Sequence, residues 1–168
     1  KKSVLFLFLC CTTSLQSLAQ EKITSARVSF VFVEKDVDGE ISGFESDSKI
    51  DWDNLENSTL SGTVQSETIS TGNFLRDWSL RGGKYFNADD YPKIKFTSTK
   101  IQVKKDTIMV DGDLTIKDIT KSIQFTFLKQ GKHLIGTTTL FSSDFDITIL
   151  KKGRESNKVN IKIDLELE

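Results

Sequence analysis

The feature that most constrains this chain is a period of two. Residues 159–168 read VNIKIDLELE, so Val159, Ile161, Ile163, Leu165 and Leu167 alternate without a break with Asn160, Lys162, Asp164, Glu166 and Glu168. Successive side chains of a β-strand point to opposite faces, and this segment is therefore a strand with one dry face and one wet face. The pattern recurs along the chain. Residues 25–34 put Val28, Phe30 and Phe32 on one face, 107–117 keep Ile108, Val110, Gly112, Leu114 and Ile116 in one parity, and 119–129 align Ile119, Ile123, Phe125 and Phe127. Residues 40–50 follow an Asp38-Gly39 turn, and 58–70 and 132–143 continue with weaker alternation. In 93–103 the apolar parity changes between Phe96 and Ile101, which predicts a β-bulge near Ser98–Lys100.

Eight half-buried antiparallel strands leave two exposed edges unless the sheet closes on itself. The expected fold is therefore all-β: an eight-stranded antiparallel up-and-down barrel. A two-layer sandwich is the alternative that periodicity does not separate. One stretch breaks the pattern. Asn73 suits a helix N-cap, Phe74 and Trp78 stand at i, i+4, and Gly82-Gly83 provides a stop, so residues 73–81 are expected as a short helical insertion between strands 3 and 4. The sole proline, Pro92, fits the entry to the next strand. In such a barrel alternate connectors share an end. Connectors 34–38, 70–92, 117–119 and 143–157 then form one rim, and 51–57, 104–106 and 129–132 the other.

The chain starts with Lys1-Lys2, an apolar run from Val4 to Leu9, and a polar stretch ending Ser17-Leu18-Ala19. This is the layout of a secretory signal peptide, expected to span 1–19 and to leave 20–168 as one domain in the periplasm or outside the cell. Acylation at Cys10 or Cys11 is the alternative use of the same leader. Both cysteines lie there, so the remainder holds no disulfide and no thiolate ligand. Loss of the leader takes the formal net charge from −1 to −3, a balance that argues against nucleic acid as the partner.

Catalytic and metal chemistry are sparse. His133 is the only histidine, too few for a zinc site. Asp51 and Asp53 flank Trp52 in a turn, and Asp36, Asp38 and Gly39 lack the spacing of a calcium loop. No catalytic residues, metal or cofactor are expected. An enzyme acting inside the barrel would have to use Asp144, Asp146 or His133. The aromatic residues are more informative: ten phenylalanines follow the leader, with Trp52 and Trp78. They build either an ordinary core or the wall of a pocket, because eight strands is the size at which a barrel just fills or keeps room for one small ligand. Lys151, Lys152, Arg154 and Lys158 cluster at the last long connector, either as a wet hairpin tip or as a site for an anionic head group.

Residues 73–98, NFLRDWSLRGGKYFNADDYPKIKFTS, resemble the signature of the YceI-like family: an Arg-Asp pair, a leucine, an aromatic pair near YFN, then Tyr-Pro-x-Ile-x-Phe. Gly112, Leu114, Thr115, Ile116 and Thr120 match its next motif, and Gly43-Phe44 its early Gly-x-Phe, whereas Asp118 and Asp146 stand where glycine is frequent. The resemblance runs from about residue 25 to the end. It implies an exported, extended lipocalin-like barrel holding an isoprenoid lipid or quinone, and so favours a pocket over a packed core. The expected function is that of a carrier of an apolar small molecule, with no enzymatic activity. The alternative is a structural or interaction module with a filled barrel. The lining chosen by parity is Phe30, Phe32, Phe96, Leu114, Ile116, Phe125, Phe127, Ile163 and Leu165, under a lid of Phe74, Trp78 and Phe86. Lys151, Lys152 and Arg154 are the head-group candidates. Arg76 and Asp77 are read as an ion pair or cap that fixes the helix. The sequence leaves the oligomeric state open, a homodimer included.

Overall fold

The computed structural model describes residues 22–168, and the expected leader lies outside them. Nine antiparallel strands form one sheet: β1 (Ile23–Phe32), β2 (Val37–Ile41), β3 (Glu45–Ser46), β4 (Ser61–Gln65), β5 (Lys93–Lys104), β6 (Thr107–Ile116), β7 (Ile119–Gln130), β8 (His133–Phe141) and β9 (Lys158–Leu167). The order is β2-β1-β9-β8-β7-β6-β5-β4-β3, so consecutive strands pair except β2 and β3, and β9 slots between β8 and β1. The register pairs Phe30 with Ile161, Val28 with Ile163 and Ala26 with Leu165, which keeps the dry faces of β1 and β9 together.

The expected second strand is split into β2 and β3, and this raises the count from eight to nine. Gly43 lies between them with φ at +73°, a left-handed conformation that bends the chain, and a Cβ there would run into the side chain of Gln65. The bend closes the sheet. β2 and β3 are its two ends, yet only residues 42–44 separate them. Across the seam, Glu40 and Ser70 exchange backbone hydrogen bonds (2.8 and 2.9 Å), and Gln65 N–H donates to Ser42 O (2.9 Å). Thr68 Oγ1 accepts from Ser42 N–H (2.8 Å). The bulge expected in the strand after Pro92 is present: the β5–β6 register shifts between Ser98 and Lys100.

The one α-helix of the described residues, α1 (Phe74–Arg81), crosses one end of the barrel. Asn73 caps it, its Oδ1 accepting from Arg76 N–H at 3.0 Å. The tight β5–β6 and β7–β8 turns lie at the opposite end. Buried apolar residues fall into two clusters. One, at the end of the tight turns, includes Ile101, Ile108, Val110, Phe125, Phe127, Leu134, Leu165 and Leu167. The other, under α1 and the long connectors, includes Phe32, Ile69, Ile94, Leu114, Ile116, Phe145, Ile147 and Val159. The same half-buried residues, Phe44, Phe96, Ile123 and Ile161, pack against both. A division of this kind needs something between the two cores.

Candidate ligand-binding cavity

What separates them is a cavity of about 470 Å³, within the roughly 300–1,000 Å³ range of small-molecule sites. Its wall is almost wholly hydrocarbon. Phe125, Phe127 and Leu165 reach it from the closed-end cluster, and Phe32, Leu114 and Ile116 from the other. Phe30, Phe96 and Ile163 line the middle, and Phe86 reaches in from the loop after α1. These are ten of the twelve residues picked by parity and lid position in the sequence. Ile161 and Val28 belong with them but were not picked, although Ile161 shares the parity of Ile163 and Val28 that of Phe30. Val28, Phe30, Phe96, Ile161 and Ile163 point inward by register, yet each is only half-buried. In a filled barrel such positions would be dry.

A barrel rich in phenylalanine stays hollow because its rings lie along the wall. A Cβ built at Gly39 would overlap the ring of Phe30, at Gly112 that of Phe96, and at Gly136 that of Phe127. At Gly62 it would come within 2.8 Å of Phe44 Cε2. Each glycine leaves a notch into which a ring settles, from the paired strand for Gly39, Gly112 and Gly136 and from just before β3 for Gly62, an arrangement known to stabilise glycine in sheets. Deeper in, Phe125 meets Phe96 edge to face, with centroids 5.2 Å apart, and lies 5.7 Å from Phe127.

The expected lid needs correction. Phe74 and Trp78 do not line the cavity: they are 79% and 72% exposed, as is neighbouring Leu75 at 73%. Asp77 is the reason. It is 6% exposed and accepts from Thr71 N–H (2.8 Å), Thr71 Oγ1 (2.5 Å) and Ser70 Oγ (3.3 Å). This anchor turns Arg76 and Leu80 toward the cavity and puts Phe74, Leu75 and Trp78 on the other side of the helix. Burial pushes the Asp77 carboxyl upward. The hydrogen bonds from Thr71 and Ser70, with Arg81 nearby, outweigh it and hold the group below the usual carboxylate range. Arg76 and Asp77 do not pair with each other; both bond to Thr71.

The head-group candidates from the last connector are also placed elsewhere. Lys151 and Lys152 are exposed and line no part of the cavity. Arg154 makes a two-pronged bond to Asp144 (2.6 and 2.9 Å) and stacks 3.5 Å from the centre of the Phe141 ring. The bond from Arg154 holds the Asp144 carboxyl below its ordinary range. Asn157 explains the placement. Fully buried, it accepts from Ile149 and Leu150 N–H (2.9 and 3.0 Å) and donates to Leu150 O (2.8 Å), which folds the connector onto itself. Asp144 and Arg154 border a wider groove formed by residues of β1, β2, β7, β8 and β9, with Lys121, Thr139 and Asn160, and it shares Phe30, Thr71, Leu140 and Ile161 with the cavity. That groove is larger than the cavity, but its polar rim suits a hydrocarbon chain poorly. Asp146, paired with Lys117 at 3.4 Å, and His133, 2.7 Å from Asp164, also lie off the cavity wall. No cluster of His, Cys, Asp and Glu among the described residues could hold a metal.

The model of the YceI-like domain family matches residues 19–167. The chain belongs to the YceI-like family. A UPF0312 protein of Photorhabdus laumondii is 32% identical over 85 residues, 51% of this chain and 44% of its own length, so the chain spans less than half of that curated relative. Among solved structures, Burkholderia cenocepacia BcnA superposes with a TM-score of 0.74 at 20% identity, covering 85% of this chain and 96% of BcnA. A polyisoprenoid binding domain from Saccharophagus degradans gives 0.59 at 13% identity, covering 89% and 97%. At these identities the likeness is one of fold: an all-β, lipocalin-like barrel with one short helix. The residues that make this YceI-like protein hollow are the Gly–Phe pairs and the bend at Gly43. No helix of its described residues is long and apolar enough to cross a membrane.

Proposed function

We propose that this YceI-like protein is an exported carrier that holds one long apolar lipid, of isoprenoid or similar chemistry, in its barrel. One observation carries the reading: an apolar cavity in whose wall Val28, Phe30, Phe96, Ile161 and Ile163 face inward in register and yet are only half-buried. The polyisoprenoid-binding description of its Saccharophagus degradans neighbour supports the class of ligand. The export half rests on the basic–apolar–small layout of residues 1–19. The mechanism is burial. Each CH₂ taken from water contributes about 0.8 kcal/mol, so ten such groups give about 8 kcal/mol, comparable to the ~4–15 kcal/mol lost in association. A preformed cavity keeps the ordering cost of the protein small.

The test is native purification followed by extraction and mass spectrometry, together with thermal melts in the presence of an isoprenoid quinone. A co-purifying lipid, or a melting temperature raised by added quinone, is the expected result. Ile161→Trp, which fills the middle of the cavity, should remove that rise and leave the apo protein folded. Absence of lipid together with an unmoved melting temperature would overturn the carrier reading in favour of a filled interaction module.

A further inference from the structure

The cavity wall carries two cations. Lys35 comes from the 3-10 turn between β1 and β2, and Arg76 from α1. These connectors are far apart in sequence and meet at the same end of the barrel. Both side chains are exposed and both touch the cavity, which marks where it reaches water. Among the described residues neither lies within ion-pair distance of a carboxylate.

Arg76 is held in place. Its Nε donates to Thr71 Oγ1 at 2.6 Å and its Nη2 to Thr71 O at 2.8 Å. Thr71 is in turn fixed by Asp77, through its N–H (2.8 Å) and its Oγ1 (2.5 Å). One edge of the guanidinium is thus tied to protein. The remaining N–H groups stay available, and a planar fork of this kind matches a carboxylate or phosphate. A charge positioned by a buried carboxylate, at the rim of a hydrocarbon cavity, is an arrangement for an amphiphile.

We propose that Arg76, positioned by Thr71 and Asp77 and assisted by Lys35, recognises the oxyanion head of a lipid whose tail lies in the barrel. The inference rests on the carrier reading and adds the chemistry of the other end of the ligand. Carboxylate and phosphate share this chemistry, so both belong in the test.

The experiment compares geranylgeranyl monophosphate, palmitate and the uncharged alcohol geranylgeraniol by titration calorimetry on the intact protein. An oxyanion ligand should bind at least about tenfold tighter than the alcohol, as for hydrogen bonds to charged groups. The more strongly favoured of phosphate and carboxylate identifies the source. Arg76→Gln should bring the ratio of anion to alcohol affinity down to about one. Arg76→Lys should recover only part of the preference, and Lys35→Gln should remove a smaller part. Arg154→Gln, outside the cavity, should change nothing. Should Arg76→Gln fail to fold, the wild type still decides the matter, because the preference for the anion must shrink as salt is raised. Equal binding of anion and alcohol by the wild type would overturn the head-group assignment and leave the carrier reading standing. Failure of all three to bind would remove both.

Discussion

At the end of the tight turns, Val110, Phe125, Phe127 and Leu134 are inward-facing and dry. Toward the end under α1, Val28, Phe30 and Ile161 are equally inward-facing and only half-buried. Alternation and residue type are the same in both regions. What differs is how the strands are joined. Short turns at Lys105 and Gly131 join β5–β6 and β7–β8, and the ring of Phe125 packs against both Phe127 on its own strand and Phe96 on β5. At the other end, residues 66–92 and 142–157 intervene, and the barrel is roofed by connectors rather than by its own side chains. A period of two therefore dictates which way a side chain points; the joints between strands decide whether it meets another on arrival.

The largest test of this contrast is a pair of truncations. Phe127→Ala should cost about 3–5 kcal/mol in a urea melt, as for other phenyl groups removed from packed cores. Phe30→Ala should cost clearly less, because Phe30 is already only half-buried whereas Phe127 is 3% exposed. Equal losses would erase the distinction between the two ends. Next in size is Gly136→Ala. Its methyl group must displace the Phe127 ring, with an expected loss of about 1–3 kcal/mol from overpacking and a smaller interior seen as weaker lipid uptake.

A third test is acid. Asp77 titrates below the ordinary carboxylate range in the fold, so its contribution is complete above about pH 3.9, the unfolded value, and fades as pH falls toward the folded one. Below about pH 4 the wild type should lose stability with a slope that Asp77→Asn lacks, and amide exchange should place the loss in 70–81. The smallest effect is expected for Asn73→Ala, about 1 kcal/mol from the lost cap. Faster exchange should be confined to α1, with β6 and β7 unchanged.

Much of the barrel was legible because alternation is local. The strand faces, the bulge at Ser98–Lys100 and the sorting of connectors to two ends follow from parity and turn spacing alone. The break at Gly43 was not: a glycine inside an alternating run gives no sign of its φ. The lid was misplaced for a related reason. Phe74 and Trp78 share a helix face, but spacing does not say which way that face turns. The answer lay in Asp77, which a helical wheel counts as polar and the structure buries against Ser70 and Thr71. The basic cluster at 151–154 drew attention by density of charge, whereas Lys35 and Arg76 are single cations that only the closed fold brings to one opening.

Gly39, Gly62, Gly112 and Gly136 have a consequence for how such a molecule diverges. The bore of the tube is set where side chains are missing, one hydrogen at a time, and a phenyl ring reports each omission to the space within. A single added carbon at Gly39, Gly112 or Gly136, none of which lines the cavity, would narrow it without itself touching the cargo. Calibre can thus drift through substitutions that an inventory of ligand contacts would score as silent.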